Sequence, residues 1–300
     1  MRYVGKNIDR VDAVAKVTGE PIFIADLTVP NMLFAKVLRA GVPHARIKKV
    51  DKSEAETMPG VVKVLSGQDR PMLFGACLVD QPAVAFEKVR HAGEPVAVVI
   101  ARTSQQAQAA LAKIKVEYEP LPYVLDPIEA AQEGAPLVHD RVEDYWRVES
   151  CVFPIPGTNV FHHYKLRKGD AERGFAEADV TVESDFEFPL SSHAALEPHG
   201  AICRFDSKKE SMEIWASQQG PFILRDVLGA MFKMETSRIR VHSPFLGGGF
   251  GGKSDVAMEP LVAWTASFVP GYAVKLILTR QEIFTGTLLG RGMKGSMKLG

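Results

Sequence analysis

The stretch Leu246–Asp255, LGGGFGGKSD, holds residues whose types and spacing could do chemistry. Gly247, four residues and then Gly252-Lys253-Ser254 fit the spacing of a loop that cradles nucleotide phosphates. Gly247, Gly249 and Gly252 also fit the G-x-G-x-x-G turn that carries a dinucleotide pyrophosphate. A third reading is a shelf of backbone pressed against some other flat or anionic cofactor. A phosphate loop needs a metal-holding aspartate at the end of a neighbouring apolar strand. The next strand here, AVKLILTRQE, ends in Thr279-Arg280. A dinucleotide turn needs an acid about twenty residues further on, for a ribose hydroxyl, and that neighbourhood is VPGYAV. A plain strand-to-helix turn does not account for five glycines around one phenylalanine, because each glycine widens the unfolded ensemble. Close approach of backbone to a ligand accounts for them better.

Other clusters give weaker signals. His193, Glu197 and His199 could converge on zinc or iron, but the histidines are six apart, which fits no helical i, i+4 pair. No metal ligand is assigned, and hydrogen-bonded structural roles are expected instead. Lys253 reads as a solvated or loop-pinning residue, and Asp170 and Glu172 as first-turn helix charges. Cys77, Cys151 and Cys203 include no C-x-x-C pair, which argues against a disulfide framework and against an iron–sulfur cluster held by this chain alone. Buried free thiols are expected at all three.

The elements that must position these residues read as a mixed αβ (α+β) fold. The chain of 300 residues is 46% hydrophobic and 24% charged, enough for a sizeable core. Lys plus Arg and Asp plus Glu are both 36, so no net field gathers nucleic acid or an anionic membrane. The first residues lack the apolar run of a signal peptide and LVAWTASFV is too short to span a bilayer, so a cytoplasmic protein is expected. Residues 1–125 give strands at PIFIADL, LFAKVLRA, VVKVLSG, GEPVAVVIA and IKVEYEPLP. Between the last two lies the helix SQQAQAALAKI, capped by Thr103 or Ser104. Residues 126–165 are rich in turn formers and read as a linker or surface excursion. A second unit, 166–300, starts with the helix GDAERGFAEAD and the strand VTVESDFEF. The hairpin AICRF/MEIWAS, the helix PFILRDVLGAMF, the strand RIRVHSP, the helix VAMEPLVAWTASF and the strand YAVKLILT follow. GRGMKGSMKLG reads as an extended segment cut off before its partner.

The segment GGGFGGK resembles the loop of the molybdenum hydroxylases, the xanthine dehydrogenase and aldehyde oxidase family, in their molybdopterin-binding large subunit. VDAVAKVTGEPIFIADLTVPNMLFAKVLRAGVPHARI, MPGVVKV, KVRHAGEPVAVVIA and VEYEPLPYVLDP resemble that family's N-terminal αβ hammerhead domain. GDAERGFAEADVTVE, HAALEPHGAI, WASQQGPF and VKLILTRQE are similar to the first part of its cofactor-binding αβ domain. The resemblance implies a molybdenum–molybdopterin cofactor, with the cytosine dinucleotide form expected. It places an amide hydrogen bond to the cofactor at Gln218, with Gln219 its adjacent alternative. Loop contacts are implied at Gly248, Gly249, Phe250 and Gly251, and substrate contacts at Phe250 and Ser254. The purine-oxidising members have a glutamate where this chain has Ser254, which argues against a purine substrate. The implied reaction is hydroxylation of an aldehyde or electron-poor aromatic carbon with oxygen from water, electrons leaving to iron–sulfur clusters and FAD on partner subunits. The family's general-base glutamate lies far downstream of these motifs, so no acid of this chain is nominated. A second polypeptide carrying the other half of the molybdopterin subunit is the expected partner. The alternative is a noncatalytic truncated or assembly protein that keeps the fold without cofactor.

Overall fold

The computed structural model describes residues 2–148 and 152–300. The first part runs α1 (Ala13–Thr18), β1 (Met32–Arg39), β2 (Ala45–Asp51), α2 (Ser53–Glu56), β3 (Val61–Ser66), β4 (Leu73–Phe74), β5 (Gln81–Pro82), β6 (Lys88–Val89), β7 (Pro95–Ala101), α3 (Ser104–Leu111) and β8 (Lys115–Pro120). After α4 (Pro127–Ala130) and α5 (Ala171–Glu177) come β9 (Val182–Phe188), β10 (Gly200–Asp206), β11 (Ser211–Ala216) and α6 (Pro221–Phe232). The rest is β12 (Ile239–His242), α7 (Glu259–Ala266), β13 (Ala273–Ile277), α8 (Arg280–Gly286) and β14 (Met293–Leu299). No helix is long and apolar enough to cross a membrane among the described residues.

Local rules explain many of these elements. Thr103, not Ser104, caps α3, accepting from the Gln106 amide while the Gln106 side chain accepts from Thr103 N. Ala107, Ala110 and Leu111 are buried on the face that the spacing predicts. Helix α6 starts with Pro221 at its first turn and stops where Lys233 turns left-handed at φ 52°. The apolar run PVAVVIA makes β7 a central strand, covered on both faces, with Val96 to Ala101 fully buried.

One seven-stranded sheet, ordered β12-β11-β10-β13-β1-β7-β3, organises the molecule. Its middle joint is the parallel pairing of β1 with β13, Met32 opposite Ala273 and Phe34 opposite Lys275. Strands from both ends of the chain therefore share one sheet, which runs across the segment 126–165. A three-stranded sheet, β6-β2-β8, stands beside it. Every residue of α7 is buried, and Trp264 within it donates from Nε1 to Arg70 O at 2.9 Å, tying the helix to the N-terminal region.

Three expectations need correction. PIFIADL is a turn, not a strand. The Phe23 amide donates to Asp26 Oδ2, and Lys275 Nζ donates to the carbonyls of Ala25 and Leu27 at 2.7 and 2.9 Å. Ile24 plugs the sheet with no exposed surface. The segment at 293–299 has its partner: β14 pairs antiparallel with β9 from Met293 opposite Phe188 to Leu299 opposite Val182. Of the thiols expected to be buried, Cys203 is, and burial pushes its pKa up, but Cys77 is exposed. Cys151 lies outside the described residues.

Candidate functional site

The glycine loop lies between the end of β12 at His242 and the start of α7 at Glu259. It turns sharply, with positive φ at Gly248 (100°), Phe250 (54°) and Gly251 (92°). The other three glycines are small because neighbours in this chain press on them. A Cβ on Gly247 would stand 2.5 Å from Glu197 Cβ, on Gly249 2.3 Å from Gln219 Oε1, and on Gly252 2.7 Å from His193 Nδ1. The expectation that a ligand accounts for the glycines is thus corrected. Left-handed backbone and close contacts within the protein require them.

Four side chains hold the loop. Glu197 Oε2 accepts from the Gly247 amide at 2.9 Å and from Lys253 Nζ at 2.8 Å, and Lys253 Nζ also donates to Glu197 O at 2.9 Å. The two side chains are 6% and 0% exposed, so this buried pair fastens both ends of the loop to the segment before β10. Burial pulls the Lys253 pKa down while Glu197 pushes it up. Lys253 is a pinning residue with no solvated role. His199 Nε2 lies 3.0 Å from Gly252 O, and burial lowers the pKa of its imidazole. His193 packs its ring on Gly252. Among the described residues no group of three His, Cys, Asp or Glu side chains could hold a metal ion.

The two glutamines divide the work. Gln218 is buried, with Oε1 accepting from the amides of Gln219 and Gly220 at 2.7 and 3.1 Å and Nε2 donating to Asp255 O at 3.1 Å. It organises the entrance to α6 and keeps one Nε2 N–H beyond its bond to Asp255 O. Gln219 is the one that reaches the loop, its Oε1 accepting from the amides of Gly251 and Lys253 at 3.1 and 3.3 Å. Its Nε2 donates to nothing among the described residues, and neither do the backbone amides of Gly248, Gly249 and Phe250. Consecutive unpaired amides at a left-handed bend form a concave donor surface for an electron-rich ligand. Nothing in the sequence separates two adjacent glutamines; the two-amide demand at the start of α6 does.

Gly248, Gly249, Phe250 and Gly251 therefore gather beside Gln219, and Phe250 leaves 75% of its surface exposed. Ser254 is joined to them by its amide, which donates to Gly251 O at 3.1 Å, and it lines a groove of about 400 Å³ with Cys77 and Ile223. A phosphate loop would present its lysine to the ligand and open directly into a helix. Here Lys253 is turned inward to Glu197, and α7 starts only at Glu259.

Comparison with known proteins identifies the family of the chain. Residues 18–122 match the aldehyde oxidase and xanthine dehydrogenase a/b hammerhead domain, and residues 152–300 match the molybdopterin cofactor-binding domain. The chain is 33% identical over 293 residues to a probable xanthine dehydrogenase subunit of Bacillus subtilis, covering 97% of this chain and 37% of that protein. It is 32% identical to the nicotinate dehydrogenase large molybdopterin subunit of Eubacterium barkeri, covering 94% of this chain and 63% of that subunit. Quinoline 2-oxidoreductase from Pseudomonas putida superposes with a TM-score of 0.83 at 29% identity, covering 98% of this chain and 37% of that one. The chain thus spans between about a third and two thirds of the length of these relatives. With both its halves matched in order, the chain belongs to the molybdopterin-binding large-subunit family of the xanthine dehydrogenases and aldehyde oxidases.

Proposed function

We propose that this chain forms one wall of a molybdenum–molybdopterin centre, in its cytosine dinucleotide form, within a cytoplasmic hydroxylase or dehydrogenase. Its substrate would be an aldehyde or an electron-poor aromatic carbon, oxidised with oxygen drawn from water. The observation that carries this reading is the run of unpaired backbone donors at Gly248, Gly249 and Phe250 beside the spare amide of Gln219. Such donors suit a cofactor rimmed with oxygen and sulfur, because they stabilise negative charge without a titrating group of their own. When bound, the cofactor would supply the two-electron oxidation of the substrate carbon.

The chain's own residues would do the holding. Gln219 keeps its amide aimed by binding the loop through Oε1, and the Glu197–Lys253 pair keeps the loop from opening. Phe250 offers an exposed ring on which a flat substrate can lie. Glu197 cannot serve as base, since Lys253 and the Gly247 amide occupy it. The general base, the iron–sulfur clusters and the flavin are accordingly assigned to partner polypeptide.

The ribbon of β9 and β14 supports a partner. Val182, Phe186 and Phe188 share one face with Met293, Met297 and Leu299, at 46% to 62% exposure. A two-stranded ribbon with an uncovered apolar face is marginal in water and calls for further strands or packing. The test is to isolate the chain from its native cells and measure molybdenum per chain with the masses of all copurifying polypeptide. Near-stoichiometric molybdenum with polypeptide completing the subunit is expected. Molybdenum-free preparations from cells that load other molybdenum enzymes would instead establish the noncatalytic assembly protein.

A further inference from the structure

A cavity of about 290 Å³ shares no lining residue with Leu246–Asp255. Arg39 from β1 and Arg90 from the turn before β7 face it with Asp80 and His139, and Phe74 and Met258 give it apolar walls. Arg39 is built into place. Its Nη1 donates to Gly93 O at 2.6 Å, and a Cβ at residue 286 would stand only 2.1 Å from that nitrogen, so Gly286 keeps the slot open. Glu282 lies 3.6 Å from Arg39 Nε, outside hydrogen-bond length. Arg90 reaches Lys88 O and Glu94 Oε1 through Nη1 only at 3.4 and 3.5 Å. The Nε groups of both arginines are buried with no acceptor. Two charged donors left unsatisfied in a half-apolar cavity go against the rule that buried polar groups find partners.

We propose that this cavity binds a small monocarboxylate with an apolar body. Its carboxylate is taken by the Nε donors of Arg39 and Arg90, and its body lies against Phe74 and Met258. A guanidinium presents a planar fork that matches a carboxylate. Glu94, Glu282 and Asp80 beside the same arginines leave no surplus positive charge, so the ligand is held by the two free N–H donors and a phosphate dianion is disfavoured. The cavity size suits a single-ring acid.

Benzoate is the probe, titrated calorimetrically into the full chain in the assembly with which it purifies. One saturable site per chain is expected, weakened at least tenfold by Arg39→Gln. Since that change also deprives Glu282 of its partner, Val138→Trp provides an independent test. Val138 lines the cavity at its solvent side and touches neither arginine's donors. Filling the mouth should abolish benzoate binding while leaving molybdenum per chain unchanged, which separates this site from the cofactor wall. No saturable binding, binding that survives Val138→Trp, or equal displacement by inorganic phosphate would each overturn the assignment.

Discussion

Replacing Glu197 or Lys253 alone should cost more stability than replacing both warrants. The pair is almost wholly enclosed, with side chains 6% and 0% exposed and Nζ 2.8 Å from Oε2. Lys253→Met leaves a buried carboxylate with the Gly247 and Ile24 amides as its remaining donors. Glu197→Gln leaves a buried ammonium with one backbone carbonyl and a neutral amide. Removing one partner of a buried pair costs about 3–5 kcal/mol, chiefly through the charge left behind. The double variant Glu197→Gln/Lys253→Met buries no charge and loses only hydrogen bonds, about 1–2 kcal/mol. The singles should therefore sum to well above the double, with a coupling of at least about 2 kcal/mol. Urea denaturation of all four proteins measures it, and hydrogen exchange at Gly251 and Lys253 reports whether the loop loosens. Additivity within about 0.5 kcal/mol would refute the idea that this pair fastens the loop.

Three further outcomes follow from the same geometry. Gln218→Ala should lower stability by about 1–3 kcal/mol through the backbone groups it strands, whereas Gln219→Ala should cost little stability and reduce molybdenum per chain. Equal stability losses in the two variants would contradict the division of roles. Gly249→Ala should reduce molybdenum retention several-fold, because its Cβ would displace the Gln219 side chain from 2.3 Å; Gly174→Ala, with nothing near it and no left-handed φ, serves as control. Burial pushes Asp80 up to about 6 and His139 down to about 4. An acid with a raised folded pKa makes stability fall as pH rises from about 4 to 6, and a base with a lowered one makes it rise over nearly the same interval. The two slopes offset in the parent protein. Asp80→Asn should leave stability falling as pH drops through that window, and His139→Gln should reverse the sign, each by up to about 2–3 kcal/mol. Urea midpoints at both ends of the window decide it, and unchanged slopes in both variants would refute the burial argument.

What could be foreseen from sequence was local. The caps of α3 and α6 and the β10–β11 hairpin follow from residues within a few positions of each element. What could not be foreseen depends on distant partners. The turn at Phe23–Leu27 looks like a strand by composition, and the lysine that takes its carbonyls lies about 250 positions away. The same holds for β1, whose neighbour β13 comes from the far end of the chain. Lys253 could be read as solvated only because Glu197, 56 positions earlier, cannot be seen as its partner in the sequence.

The glycine loop shows why composition and geometry answer different questions. Counting glycines suggested a ligand, yet each glycine has a cause inside the chain, in Glu197, Gln219, His193 or a left-handed φ. A protein without cofactor could need all five. What such a protein would not need is a bend that leaves three successive amides and one carboxamide nitrogen without an acceptor among the described residues. Unpaired donors carry a free-energy cost wherever water is shut out, as the proposed cofactor would shut it out here. The hydrogen bonds the loop leaves unmade are thus what point to a ligand, and the glycines are the means by which the chain holds that shape.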